Sequence, residues 1–549
     1  MGADLKKPDL NDPFGSIDTL SESFRQGALT PSNVMEAHLQ RIKIHDPKLG
    51  AYQALYVDAA LFAADAASKA IASGHRIGPF HGIPFALKDI CDLEGQITTN
   101  GSLTLADRVS TITGTLVRRL VAAGGIIIGK SKSVECAFGG WGTNQHMGTP
   151  WNPWDLTHQR VPGGSSSGSA VALAAGMAVC AVGTDTGGSV RLPAAYCGMV
   201  GLKVTEGRLP CDGIMPLAQT LDTPGPITQS VTDAVLMFQV MDGCEGWAID
   251  QARANGTAMF AELGKGVAGL RLGKIDEKER LNCSAEMMES YGLAIEKLES
   301  LGAIIEEFNT PTPYGDLANE NGAIIAIEAY HNHGAMYEDA DNPMDEDVRK
   351  RMLSGKKHLA HDYVRMLESY GLAIEKLESL GAIIEEFNTP TPYGDLANEI
   401  GAIIAIEAYH NHGAMYEDAA NPMDEDVRKR MLSGKKHLAH DYVRMLENRR
   451  NSAEAFANKM GGLDAILTPT TTSPAPKLTE IDQDISPGHF TRPFNYLGMC
   501  ALALPVGLSE GGIPTSLQIV GRANDEMLVL RVGAALEAVL PHVGRPDIG

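Results

Sequence analysis

The sequence predicts an α/β protein in which helices flank a largely buried β-sheet. Three observations lead there. Short apolar runs alternate with segments of helical period along most of the chain. Of the 549 residues, 44% are apolar and 21% charged, enough apolar material for a substantial core. Several strand-like runs also pass through glycine-rich turns into helices.

In chain order, residues 1–75 form an N-terminal helical portion: IDTLSESFRQG, SNVMEAHLQRIKIHD and VDAALFAADAASKAIASG each close near Gly, Asp or Pro. HGIPFALKDICD (81–92) reads as a short apolar strand carrying Lys88. LVRRLVAAGGIIIGKS (116–131) reads as a helix, a Gly-Gly turn and a buried strand. The small-residue helix SAVALAAGMA follows a serine cluster at 161–170 and leads into strand AVCAVG. Near the C-terminus LDAILTPTTT and ALALPVGL read as strands and EMLVLRVGAALEAV as a closing helix.

Residues 289–367 recur as 368–446 with two differences, Asn321 against Ile400 and Asp341 against Ala420. Repeat architectures show diverged copies and usually need three or more, so this pair reads as a recent tandem duplication, or an assembly error in the gene, inside a single domain spanning 1–549. Each copy predicts a helix, a strand, a proline-containing turn and two further helical stretches. Only one copy can fill the slot a compact fold offers. Ile400 continues the apolar run EIGAIIAI where Asn321 interrupts it, which favours the second copy as the native-like one.

The net charge of −22 reads as solubility, and it argues against a nucleic-acid partner, because phosphate binding needs a basic face. No run approaches the ~20 apolar residues of a membrane span. Eight cysteines without a C-x-x-C pair speak against a disulfide framework or zinc knuckle and for a cytoplasmic protein. The His331-Asn332-His333 element and its copy His410-Asn411-His412 have no third ligand at a recognised spacing, so no metal is expected.

Two motif matches look accidental. Gly124 to Ser131 fits G-x-x-x-x-G-K-[ST], but Gly-Ile-Ile-Ile is stiff and β-branched, and a phosphate loop must wrap its ligand with free backbone. A nucleotide-dependent enzyme is the alternative this match would support. Gly164-Ser165-Ser166-Ser167-Gly168 fits the G-x-S-x-G elbow and nominates Ser166, but NPWDLTHQRVP, with its two prolines, offers no strand before it. The loop Thr184-Asp185-Thr186-Gly187-Gly188-Ser189-Val190-Arg191 is stronger. It leaves a strand, and its small residues let backbone N–H groups converge on one point, as an oxyanion hole requires.

Together, Lys88 in GIPFALKDI, the GGSSSGS cluster and DTGGSVR resemble the amidase signature family, with AAYCGMVGLK, LDTPGPIT and GIPTSLQIVGR as further similar stretches. The resemblance runs from about residue 16 to the end, apart from one repeat copy. It departs at Ser167, where a glycine is frequent, and at Val204, where a proline follows the lysine. It implies a large mixed central β-sheet flanked by helices, with Ser189 as nucleophile, Ser165 as a bridging serine after a cis peptide, and Lys88 as base. It also implies Thr186, Gly187, Gly188 and Ser189 as oxyanion donors, and no metal or organic cofactor. A lysine serves as base only when neutral, and the apolar setting IPFAL would favour that form. Asp185 and Arg191 flank the loop and are expected to brace it.

The expected activity is hydrolysis of a C–N bond other than a peptide bond, on small hydrophobic or aryl amides, anilides or carbamates, with Trp141, Met215 and Leu217 as candidate pocket residues. The partners expected are a small-molecule substrate, no nucleic acid, no membrane and a second copy of the chain. The family also includes glutaminase subunits of tRNA-dependent amidotransferases, for which a glutamine is expected where Leu192 stands. A non-catalytic scaffold is the remaining reading, should the duplication disturb the fold.

Overall fold

A computed structural model describes residues 9–354 and 452–549, except 258, 454 and 484. Eleven strands form one sheet. They are β1 (Tyr52–Leu55), β2 (Pro84–Lys88), β3 (Ile126–Ser131), β4 (Cys180–Asp185), β5 (Val200–Lys203), β6 (Thr223–Thr228), β7 (Arg271–Ile275), β8 (Ile304–Phe308), β9 (Ala465–Pro469), β10 (Cys500–Leu508) and β11 (Pro514–Gly521). Their spatial order is β1-β3-β2-β4-β6-β5-β10-β11-β9-β7-β8.

The sheet is mixed in a segregated way. β2 lies parallel to both β3 and β4, and β7 lies parallel to both β8 and β9. Between these parallel wings the ladders are antiparallel, from β4 through β6, β5, β10 and β11 to β9. Burial explains the sequence pattern. β2, β4, β9 and β11 are buried at every position and read as continuous apolar or small-residue runs.

β6 was not legible because Thr223-Pro224-Gly225-Pro226 carries two prolines, which ordinarily exclude an interior strand. Its ladder with β5 involves only Ile227 and Thr228, so the prolines lie outside that pairing. The N-terminal portion forms the three expected helices, Ile17–Gln26, Pro31–Leu49 and Val57–Ala72, with the short edge strand β1 inserted between the second and third.

Helix Ser167–Ala174 packs on β2, β3, β4 and β6, while Val231–Met241 packs on β5 and β6. Helix Ala285–Ser300 covers β8 to β11, and Glu526–Glu537 covers β10 and β11.

The first repeat copy occupies the edge of the sheet, through Ala285–Ser300, β8, and helices Tyr314–Glu338 and Glu346–Ser354. Tyr291 roots it there, its hydroxyl donating to the Leu467 carbonyl of β9 at 2.8 Å. The preference for the second copy is therefore not met. Asn321 does not interrupt an apolar face: it is fully buried, and its Nδ2 donates to the Thr186 carbonyl at 3.3 Å. Residues 368–446, with Ile400 and the second His-Asn-His element, lie outside the described residues.

Among the described residues no helix is long and apolar enough to cross a membrane. No three His, Cys, Asp or Glu side chains cluster as metal ligands among them. His333 instead meets the Pro216 carbonyl through Nε2 at 2.5 Å.

Candidate active site

The site forms where the parallel strands β2 and β4 end side by side. The register Leu87↔Val182 carries Lys88, the last residue of β2, alongside the end of β4. Lys88 is fully buried, and its Nζ lies 2.8 Å from Ser165 Oγ and 2.8 Å from Thr184 Oγ1. Burial pushes its pKa down to about 7, against weaker upward pulls from Cys91, Asp222 and Asp185. Of the buried lysines described, Lys130 reaches the Asp89 carboxylate and the Cys91 carbonyl, and Lys203 donates to the carbonyls of Val204 and Met499. Lys130 also meets the Thr98 hydroxyl at 2.8 Å, but Lys88 alone of the three meets hydroxyls with no carboxylate or carbonyl beside them. As a neutral amine it can take a proton from them and as an ammonium return it.

The serine cluster is held over the end of β3 by backbone contacts. The Val134 amide donates to the Ser165 carbonyl at 3.1 Å, Gly164 N–H to Gly140 O at 2.8 Å, and Gly168 N–H to Lys132 O at 2.9 Å. The Gly164–Ser165 peptide is cis. Ser166 is fully buried and its Oγ binds both the Thr184 carbonyl and the Thr184 amide, which leaves it tied into structure. The phosphate-loop match resolves likewise: Ile126–Ser131 is β3, with Gly125 packed against Phe80.

Ser189 follows β4 on the loop before helix Arg191–Cys197, and at 7% exposure it is the most accessible of Lys88, Ser165 and Ser189. Its carbonyl accepts from the Ser166 amide at 3.4 Å, which joins the two serine loops. Asp185 and Arg191 brace this loop as a fully buried pair, Nη2 to Oδ1 at 2.9 Å and Nε to Oδ2 at 3.0 Å. Burial disfavours the Asp185 carboxylate, but the Arg191 charge and hydrogen bonds prevail and hold it well below the usual carboxylate range. Asn495 adds a donor to Asp185 Oδ1, and Thr491 Oγ1 donates to the Gly187 carbonyl at 2.9 Å.

Of the four amides nominated as oxyanion donors, that of Gly188 is already engaged, donating to Asp185 Oδ1 at 2.8 Å. Those of Gly187 and Ser189 have no acceptor among the described residues. Gly188 sits at φ 123°, and a Cβ there would come within 2.2 Å of Thr491 Oγ1, so only glycine fits.

Two residues of the site were not singled out from the sequence. Thr184 meets Lys88 only because β2 and β4 are neighbours, which is a tertiary fact. Asp222, in LDTPGPIT, accepts from Thr186 Oγ1 at 2.5 Å through one oxygen and from the Leu217 and Ala218 amides through the other. Burial raises its pKa to about 6. It thereby ties the nucleophile loop to the segment carrying Met215 and Leu217.

Leu217 is buried, and the Met215 amide donates to Ile90 O, two residues beyond Lys88. Trp141 stands apart from them, stacked on Tyr196 with its Nε1 donating to the carbonyls of Asp482 and Ile485.

The sequence model of the Amidase family matches residues 33–368 and 364–530, two stretches that meet near the boundary between the repeat copies. A relative from Geobacter metallireducens, one of the subunits of glutamyl-tRNA(Gln) amidotransferase, is 32% identical over 526 residues, covering 95% of this chain and 96% of its own. The structure of native peptide amidase from Stenotrophomonas maltophilia is similar at TM-score 0.67 and 26% identity, over 95% of this chain and 96% of that one. A bacterial aryl acylamidase shares the fold at TM-score 0.69 and 20% identity, covering 96% of each chain.

These relatives correct the expected partners. A relative matched over almost its whole length is named for glutamyl-tRNA(Gln), so neither the exclusion of nucleic acid nor the restriction to a small-molecule substrate stands. The physical reason is that −22 is a sum over the whole chain, and a sum does not say what reaches one site within an assembly. With these matches spanning most of its length, and with the mixed sheet common to its structural neighbours, the chain belongs to the Amidase family.

Proposed function

We propose that the chain hydrolyses amides through an acyl-enzyme on Ser189. Ser189 Oγ attacks the carbonyl carbon and gives its proton to Ser165 as Ser165 passes its own to neutral Lys88. Backbone amides of the nucleophile loop, those of Gly187 and Ser189 foremost, receive the developing oxyanion. The proton returns through Ser165 to the leaving nitrogen, the C–N bond breaks, and water then cleaves the acyl-serine. The observation that carries this reading is Lys88: buried, with a pKa near 7, and 2.8 Å from Ser165 Oγ.

Small hydrophobic or aryl amides, anilides and carbamates suit the apolar side chains of Met215 and Leu217 on the loop fastened by Asp222. A second reading, the amide-cleaving component of an amidotransferase acting on glutamyl-tRNA(Gln), is favoured by the name and near-complete coverage of the relatives. Against it stands Leu192 at the position where that role is expected to carry glutamine.

Labelling with a fluorophosphonate, followed by peptide mapping, tests the mechanism. Modification at Ser189 that disappears in Lys88→Ala is expected. Modification at Ser166, or none in folded protein, would overturn it. Turnover of anilides and carbamates by the chain alone separates the first reading from the second.

A further inference from the structure

The nucleophile loop is overlaid by an arginine that the mechanism does not use. Arg492 opens the short helix Arg492–Tyr496, next to Thr491, which binds the Gly187 carbonyl. A Cβ added at Gly187, two residues before Ser189, would lie 3.2 Å from Arg492 Cγ and 3.5 Å from its Nε. On the far side the guanidinium reaches helix Tyr314–Glu338, where a Cβ at Gly322 would lie 3.0 Å from Nη1. So its stem crosses the loop and its head lies between the loop and that helix.

The Arg492 guanidinium makes no hydrogen bond and no ion pair among the described residues, unlike that of Arg191, whose carboxylate partner is Asp185. Burial, and then the like charge of Arg351, push its pKa down to about 10. Arg351 itself donates through Nε to the Phe138 carbonyl at 3.0 Å. Two guanidinium groups near each other, one without a carboxylate, are costly to hold in a desolvated wall, and an anion entering there would relieve that cost. Beside them Asn321 is fully buried, with Nδ2 on the Thr186 carbonyl and Oδ1 without a partner among the described residues. A substrate N–H or an ordered water would satisfy it.

We infer that Arg492 is a specificity-determining residue that receives a carboxylate carried by the amide substrate. This rests on Ser189 being the nucleophile and names the substrate class of that same site. A planar guanidinium fits a carboxylate with two parallel hydrogen bonds, whereas a neutral substrate leaves it unpaired.

The test uses the full chain and three substrate sets of matched length. Monoamides of dicarboxylic acids carry the carboxylate on the acyl side, and N-acyl amino acids carry it on the amine side. Methyl esters of both serve as the neutral set. For one charged set kcat/KM is expected to exceed its neutral match by on the order of 10²-fold. Arg492→Met is expected to bring that ratio near one, and Arg492→Lys to restore part of it. A merely structural lesion would lower both members of a pair and leave their ratio alone.

Should Arg492→Met not fold, wild-type inhibition decides. The free dicarboxylate of the preferred length is expected to compete with a neutral amide, and its dimethyl ester to compete at least tenfold more weakly. Neutral substrates preferred by wild type, or a ratio unmoved by Arg492→Met, would overturn the inference while amide hydrolysis stands. No turnover of any set together with no label on Ser189 would overturn both.

Discussion

If Lys88 is the base, the pH dependence of turnover is set by its surroundings. An ordinary lysine titrates near 10.4, so at pH about 7.5 only about one molecule in a thousand is neutral. With its pKa lowered to about 7, about three quarters of Lys88 is neutral at that pH, a gain of several hundredfold in the competent population. The expected profile of kcat/KM rises tenfold per unit below pH about 7 and levels off above about 8.

Below about 6 the Asp222 carboxylate, which holds Thr186, also gains a proton, and the limb should steepen. The assay is hydrolysis of one simple amide across this range, run beside the rate of fluorophosphonate labelling. Both should share the limb, since both need the Ser189 proton removed. A limb centred near 10, or a rate still level at pH 5.5, would refute the reasoning.

The same depressed pKa carries a stability cost. The unfolded chain takes up this proton below about 10.5 and the folded one only below about 7, so stability from this group is lost as pH falls between them. At neutral pH that penalty is nearly complete, of the order of a few kcal/mol.

The same geometry sets the outcomes of four substitutions and of deleting either repeat copy. Lys88→Met should raise the thermal midpoint at pH about 7 while abolishing turnover, because it removes that penalty; a lower midpoint in calorimetry would contradict this. Arg191→Met leaves Asp185 charged and fully buried, and urea unfolding should show a loss of about 3–5 kcal/mol. Gly188→Ala should give folded protein that fails to label at Ser189, as its Cβ would displace Thr491 from the loop; normal labelling would show that the loop tolerates it. Asn321→Ile, which copies the second repeat, removes the bond to the Thr186 carbonyl and should lower kcat several-fold. Deleting 289–367, which leaves Ile400, should match that variant, whereas deleting 368–446 should match wild type.

Much of the fold was legible because burial and period leave direct marks. The helices of the N-terminal portion, strands β2, β3, β4, β9 and β10, and the closing helix all carry apolar runs bounded by glycine or proline. β6 was hidden by its prolines, and β7 and β11 drew no notice as strands. The order of the strands left no mark at all.

At the site, Lys88, Ser165 and Ser189 were nominated from three separated motifs, and the fold sets them on neighbouring elements around the ends of β2 and β4. Thr184, Asp222, Asn321 and Arg492 were not found, because each matters only through what another strand or helix brings to it.

The sequence by itself determined which segments are strands or helices wherever period and burial agree, and which side chains are candidates for the chemistry. The tertiary structure alone decided which repeat copy lines the nucleophile loop, which of three buried lysines lies against the serine cluster, and which glycine amide is already bound. The reason is physical: period and residue type are local properties of the chain, whereas desolvation and hydrogen-bond pairing depend on distant residues that only packing brings together.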